Sequence, residues 1–106
     1  MRRGEIYWAR LPPPSGRRPV LVVTRNGVLD ARTSVTVAPV TRTIRAIPSE
    51  LSLGRGHGLR AASVANCDSL QTIPKALLGS HPIGLLTPLE LVELDDALRF
   101  ALGIRT

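Results

Sequence analysis

Three short segments set polar side chains at the ends of apolar runs, where a rigid scaffold can hold reactive groups. Gly16-Arg17-Arg18-Pro19-Val20 sends two guanidiniums out of a loop. Pro19 restricts Arg18 to an extended backbone, which orders it beyond an ordinary surface arginine. Val37-Ala38-Pro39-Val40-Thr41-Arg42 closes a β-branched run with a hydroxyl and a cation. The stretch from Ala62 to Thr72 carries Asn66, Asp68 and Gln71, hydrogen-bonding groups able to share a face. Each segment also has a plainer reading. Arg17 and Arg18 can be a solvated loop pair, Thr41 ordinary strand filling, and Asp68 the ion-pair partner of one of many arginines. Other chemistries find less support. His57 (within GRGHG) and His81 have no nearby histidine or carboxylate at metal-ligand spacing. The single cysteine, Cys67, excludes an internal disulfide and a cysteine-based zinc cluster, and reads as a small buried hydrophobe. No phosphate-loop or dinucleotide glycine pattern is present. The expectation is a site without metal or cofactor.

The charge is unevenly spread. Residues 1–60 hold 11 Arg against three acids, a net of +8, whereas residues 61–106 hold three cations against five acids, a net of −2. A basic N-terminal part points to a polyanionic partner, most simply nucleic acid. The bland alternative is compositional, since Arg outnumbers Lys 13 to 1. Only Tyr7, Trp8 and Phe100 are aromatic, which disfavours a wide base-stacking platform.

These segments need elements to hold them. With 106 residues and a 43% apolar fraction, the chain makes one domain, residues 1–106. Its longest aliphatic run, Val20–Val23, is far too short to span a membrane, and the basic start lacks the apolar stretch of a secretory signal. The cytoplasm is the default compartment. The first two-thirds reads as short strands: Glu5–Leu11, Pro19–Thr24, Ser34–Thr41, Ser49–Leu53 and Ala62–Leu70. Pro12-Pro13-Pro14-Ser15-Gly16 makes a loop between the first two. Pro19–Thr24 is continuously apolar, as a strand buried on both faces would be. Pro39 argues for an edge strand or a bulge. Thr87-Pro88-Leu89-Glu90 then starts a helix with a cap, a proline at the first turn and a capping box. Leu91, Leu94, Leu98 and Ala101/Leu102 repeat at helical spacing, Asp95 and Asp96 can both reach Arg99, and Gly103 ends the helix. The expected fold is mainly β with α additions: an antiparallel barrel or half-barrel closed by a C-terminal helix.

In order and spacing, these pieces resemble the MazF/PemK (Kid-like) toxin family of type II toxin–antitoxin systems. The resemblance runs from Arg3-Gly4-Glu5-Ile6-Tyr7 through Arg17-Arg18-Pro19-Val20-Leu21-Val22-Val23 and Val37-Ala38-Pro39-Val40-Thr41. It continues through Ser63-Val64, Asp68 and Gln71-Thr72-Ile73 to Leu86-Thr87-Pro88 and Ala101-Leu102-Gly103. It implies an SH3-like β barrel, a homodimer, metal-independent cleavage of single-stranded RNA at short sequences, and a cognate MazE-like antitoxin.

The resemblance also implies site residues. Arg18 and Thr41 fall at the family's catalytic Arg and Thr. Arg18 suits a phosphoryl oxygen because a guanidinium binds oxyanions bidentately, while its high pKa makes it a poor general base. Thr41 would donate a hydrogen bond to a non-bridging oxygen. Asp68 falls at a family carboxylate and is the candidate base. Arg17, Arg25 and Arg42 would bind phosphates, and Asn26, Asn66 and Gln71 would read base edges. Two departures stand out: the first loop is short and proline-rich, so sequence preference does not carry over, and Gln71 stands where an Arg is common. Two other readings compete. One is a CcdB-like gyrase-binding poison, disfavoured because the chain ends Leu102-Gly103-Ile104-Arg105-Thr106 without that family's Trp-Gly-Ile. The other is an RNA-binding relative that has lost cleavage.

Overall fold

The computed structural model describes residues 1–105. Its centre is the unbroken apolar run. Strand β2 (Arg17–Val22) follows β1 (Glu5–Arg10) and precedes β3 (Ser34–Thr41), and it lies between them. Val20, Leu21 and Val22 are all fully buried because both faces of β2 are covered. Side chains alternate across a strand, so Leu21 joins one core with Ile6, Ala38 and Leu94, while Val20 and Val22 join another with Tyr7, Val35, Val37 and Ile73.

Four shorter strands complete the sheet: β4 (Glu50–Leu53), β5 (Ser63–Asn66), β6 (Gln71–Pro74) and β7 (Gly84–Leu85). The order is β4-β5-β3-β2-β1-β7, with β6 also alongside β3, and every pairing is antiparallel. One edge of β3 serves two partners, β6 over Ser34–Val37 and β5 over Val40–Thr41. The sheet curls at this changeover into the expected half-barrel. Pro39 sits there. It is a buried residue inside the sheet, opposite Val20, and not on an edge strand. Its missing N–H is tolerated where the ladder is already interrupted.

Helix α1 (Pro88–Leu102) covers the core of Leu21 and Ala38 with Leu94 and Ala97. Its start is the expected capping box: Glu90 N–H donates to Thr87 Oγ1 (3.2 Å) and Thr87 N–H to Glu90 Oε1 (2.9 Å). Asp96 meets Arg99 at 3.1 Å, but Asp95 turns away and pairs with Arg3 at 2.8 Å, tying the helix to the chain's start. Among the described residues, no helix is long and apolar enough to cross a membrane.

The Ala62–Leu70 stretch is not one strand. After β5, Cys67–Ser69 forms a 3₁₀ turn that Asn66 caps by accepting the Asp68 N–H at 2.9 Å. A capping Asn favours the turn over further extension. Strand β2 begins at Arg17, two residues before the proline, because Arg17 and Arg18 already pair with Arg10 and Ala9.

Candidate active site

The ends of β1, β2, β3 and β5 converge on a pocket of about 460 Å³. Trp8, Arg17 and Pro19 line it from β1 and β2, and Val40, Thr41 and Arg42 from the end of β3. Gly58, Leu59, Arg60 and Ala61 form the opposite wall, with Ser63 at the start of β5. Three arginines thus face one hollow, and none of them forms an ion pair among the described residues. Unpaired guanidiniums around a partly apolar floor attract and hold an anionic ligand.

Register explains which side chains meet. Trp8 lies opposite Pro19, and Arg17, two residues before Pro19, shares that face. The Arg17 guanidinium stacks 4.1 Å from the centre of the Trp8 ring. This cation–π contact steers an exposed arginine toward the pocket. Arg18 occupies the other face, opposite Ala9, is half-buried, and does not line the pocket. The β2–β3 ladder ends at Val20–Pro39. Arg18 and Thr41 each lie two residues beyond that rung on neighbouring strands, so they reach the same end of the sheet. The Thr41 hydroxyl already accepts the Thr43 N–H at 3.1 Å and keeps its own proton free to donate.

The remaining expected site residues are spread wider. Arg42 lines the pocket. Asp68 does not: it follows β5 at the end away from Ser63, and its Oδ2 accepts the hydroxyl of fully buried Ser49. Asn66 is used locally, capping the 3₁₀ turn and donating to Ser69. Gln71 is half-buried in β6 opposite Val37. Arg25 lines a second pocket of about 330 Å³, with Arg32 and residues of α1, where β3 begins. Neighbouring Asn26 accepts the Arg3 N–H at 2.7 Å. Ser34, Val35 and Thr36 at the start of β3 line Arg25's pocket and Val40 and Thr41 at its end line the other, and the strand from Ser34 to Thr41 spans roughly 20–25 Å. The arrangement therefore joins Arg17, Thr41 and Arg42, leaves Arg18 behind them on β2, and keeps Arg25, Asn26 and Asp68 apart.

Trp8 and Arg60 were not anticipated from sequence. Trp8 could have been found from a β1–β2 hairpin register, whereas Arg60 is one arginine among many and carries no local signal. Cys67 is buried, and burial with the neighbouring Asp68 pushes its thiol up to about 11, so it stays a protonated thiol at neutral pH.

Fold and site together define a small curled-sheet protein with a cationic, hydroxyl-bearing pocket suited to a phosphodiester. The model for PemK-like, MazF-like toxins of type II toxin–antitoxin systems matches residues 2–102, and the chain belongs to that family. Endoribonuclease MazF3 of Mycobacterium tuberculosis is 43% identical over 86 residues, 81% of this chain and 79% of that protein. The solved structure of Mycobacterium tuberculosis toxin MazF-mt6 superposes with a TM-score of 0.88 at 37% identity, covering 96% of this chain and 99% of that one. A mycobacterial endoribonuclease solved in complex with its cognate antitoxin matches at TM-score 0.85 and 29% identity, over 100% of this chain and 98% of that one.

Proposed function

We propose that this chain is an endoribonuclease toxin that cuts single-stranded RNA in the cytoplasm and is neutralised by a cognate MazE-like antitoxin. The observation that carries the reading is the joining of three arginines, unpaired among the described residues, with the Thr41 hydroxyl where β2 begins and β3 ends, with Arg18 on the adjoining strand. In this reaction the 2′-oxygen attacks the adjacent phosphorus and its proton passes to solvent. The P–O5′ bond breaks, and the 5′-oxygen takes up a proton. The products are a 2′,3′-cyclic phosphate and a 5′-hydroxyl. Arg18 and Thr41 stabilise the charge on the crowded phosphorus, and Arg17, Arg42 and Arg60 hold the flanking strand. Asp68, engaged by Ser49 outside the pocket, is left out of the proton transfers. No step requires a metal.

The relative solved with its antitoxin supports a protein partner. An acidic segment entering the same cationic pocket would compete with RNA directly. We also assign a homodimer, because Leu89, Val92 and Phe100 leave an apolar stripe exposed along α1. The test is cleavage of a mixed-sequence RNA in excess chelator. The protein should cut it, a 2′-deoxy residue at the cut position should block the reaction, and Arg18→Ala should slow it by about 10²–10³-fold. Cleavage that needs a divalent ion, or that survives Arg18→Ala, overturns the mechanism.

A further inference from the structure

We infer that His57 and Glu90 latch the seam of the half-barrel and thereby position the Gly58–Ser63 wall of the pocket, making His57 a positioning residue for RNA binding. The inference rests on that pocket being the RNA site.

The strand path β4-β5-β3-β2-β1-β7 ends at β4 and β7, and among the described residues no β ladder joins those two ends. The chain leaving β4 closes the gap instead. It forms the 3₁₀ turn Arg55–His57 and lies directly on β7. The approach is so close that a Cβ at Gly58 would run into the Ile83 carbonyl, and one at Gly84 into the His57 carbonyl. Glycine is required at both positions, and at Gly58 the backbone is also left-handed (φ 79°). From Gly58 the chain continues straight into the wall that carries Arg60.

His57 pins this turn at both ring nitrogens. Nδ1 accepts the Gly54 N–H at 3.1 Å, so the ring proton sits on Nε2 and is donated to Glu90 Oε2 at 2.8 Å. The two side chains are only 14% and 23% exposed. Glu90 divides its carboxylate between two tasks: Oε1 caps α1 through Thr87 N–H, and Oε2 holds His57. The helix cap and the pocket wall are therefore joined through one side chain. Nothing in the RNA-binding reading otherwise uses His57 or Glu90.

Glu90→Gln separates the two tasks. Glutamine keeps an oxygen for the Thr87 cap, but presents an NH₂ to a ring nitrogen that also carries hydrogen. Shifting the ring tautomer would only move the clash to Gly54. His57→Ala removes the latch from the other side. Thr87→Ala weakens the helix start and leaves the latch in place, so it controls for lost stability. Two readouts are taken on all three full-length variants: amide hydrogen exchange at Gly58 and Leu59, and the Kd for a mixed-sequence RNA made uncleavable by 2′-O-methylation. Glu90→Gln and His57→Ala should speed the exchange and raise Kd roughly five- to twentyfold, with kcat on cleavable RNA within about twofold of wild type. Thr87→Ala should lower Tm and leave both readouts unchanged. Unchanged exchange in Glu90→Gln and His57→Ala overturns the latch, and faster exchange with unchanged Kd overturns its positioning role. A Kd that rises equally in Thr87→Ala makes the effect one of general stability and overturns it as well. Failure of the RNA reading looks different: wild type neither binds nor cuts RNA, and the inference falls with it, whatever the exchange shows.

Discussion

Arg17 and Arg18 are adjacent in sequence and opposite in direction, and this alternation separates binding from catalysis in the proposal. Arg17 rests on Trp8 at the pocket, while Arg18 is half-buried on the other face beside the line to Thr41. Arg17→Ala removes a charge-assisted contact to phosphate and should weaken RNA binding about tenfold to a hundredfold with little change in kcat. Trp8→Ala merely frees Arg17 and should weaken binding two- to fivefold, about the 0.5–1 kcal/mol of an exposed cation–π contact. Titrating uncleavable RNA measures both. The converse result, with Arg17→Ala abolishing kcat and Arg18→Ala raising only Kd, would exchange their roles. Asp68 offers a second decision at this scale. Asparagine can still accept the Ser49 hydroxyl, so Asp68→Asn should leave cleavage within about threefold, whereas loss of a general base would cost about 10²–10⁴-fold. The sequence showed that Arg18 precedes a proline, and it placed Asp68 within a strand, Ala62–Leu70, that in fact stops at Asn66. It could not show that Asp68 would be engaged by Ser49, a contact made 19 residues away across β4 and β5.

Among the elements, those with strong local chemistry were legible and those made by tertiary pairing were not. Helix α1 announces itself through Thr87, Pro88 and Glu90, and it starts and ends where those residues and Gly103 place it. Strands β6 and β7 have four and two residues, too few for a period, and exist because β3 and β1 present edges to them. Glu90 shows how such an element reports on its surroundings. Burial pushes its carboxyl up, but the Thr87 N–H, the His57 hydrogen bond and the Thr87 hydroxyl outweigh burial and hold it below its usual value of 4.5. A carboxyl depressed in the folded state contributes stability that is complete above its unfolded pKa and is lost as pH falls through the folded value. Urea unfolding of wild type and Glu90→Gln should therefore show a stability gap that narrows as pH falls below about 4.5. A gap that widens toward acid would contradict the ionised Glu90 cap.

Over the whole molecule, the charge asymmetry of the sequence becomes two arginine-bearing pockets at opposite ends of β3, one with Arg17, Arg42 and Arg60 and one with Arg25 and Arg32. Composition revealed the excess of cations but not this division, because it follows from where β2 and β3 begin and end. Salt dependence separates the two sites. Binding to single-stranded nucleic acid releases counterions, with a slope in log K against log [salt] of about −0.7 per phosphate neutralised. For an oligomer of about four nucleotides seated at the Thr41 pocket, each of Arg17→Ala, Arg42→Ala and Arg60→Ala should reduce the slope by about 0.7. Arg25→Ala and Arg32→Ala should leave that slope unchanged. On a longer RNA, a slope that becomes sensitive to Arg25→Ala would extend the strand's path along β3 to the second pocket and bring Asn26 within reach of a base. Equal sensitivity to all five arginines on the short oligomer would instead mean that RNA is held by diffuse positive charge, and the Thr41 pocket would lose its claim to be where the strand is seated.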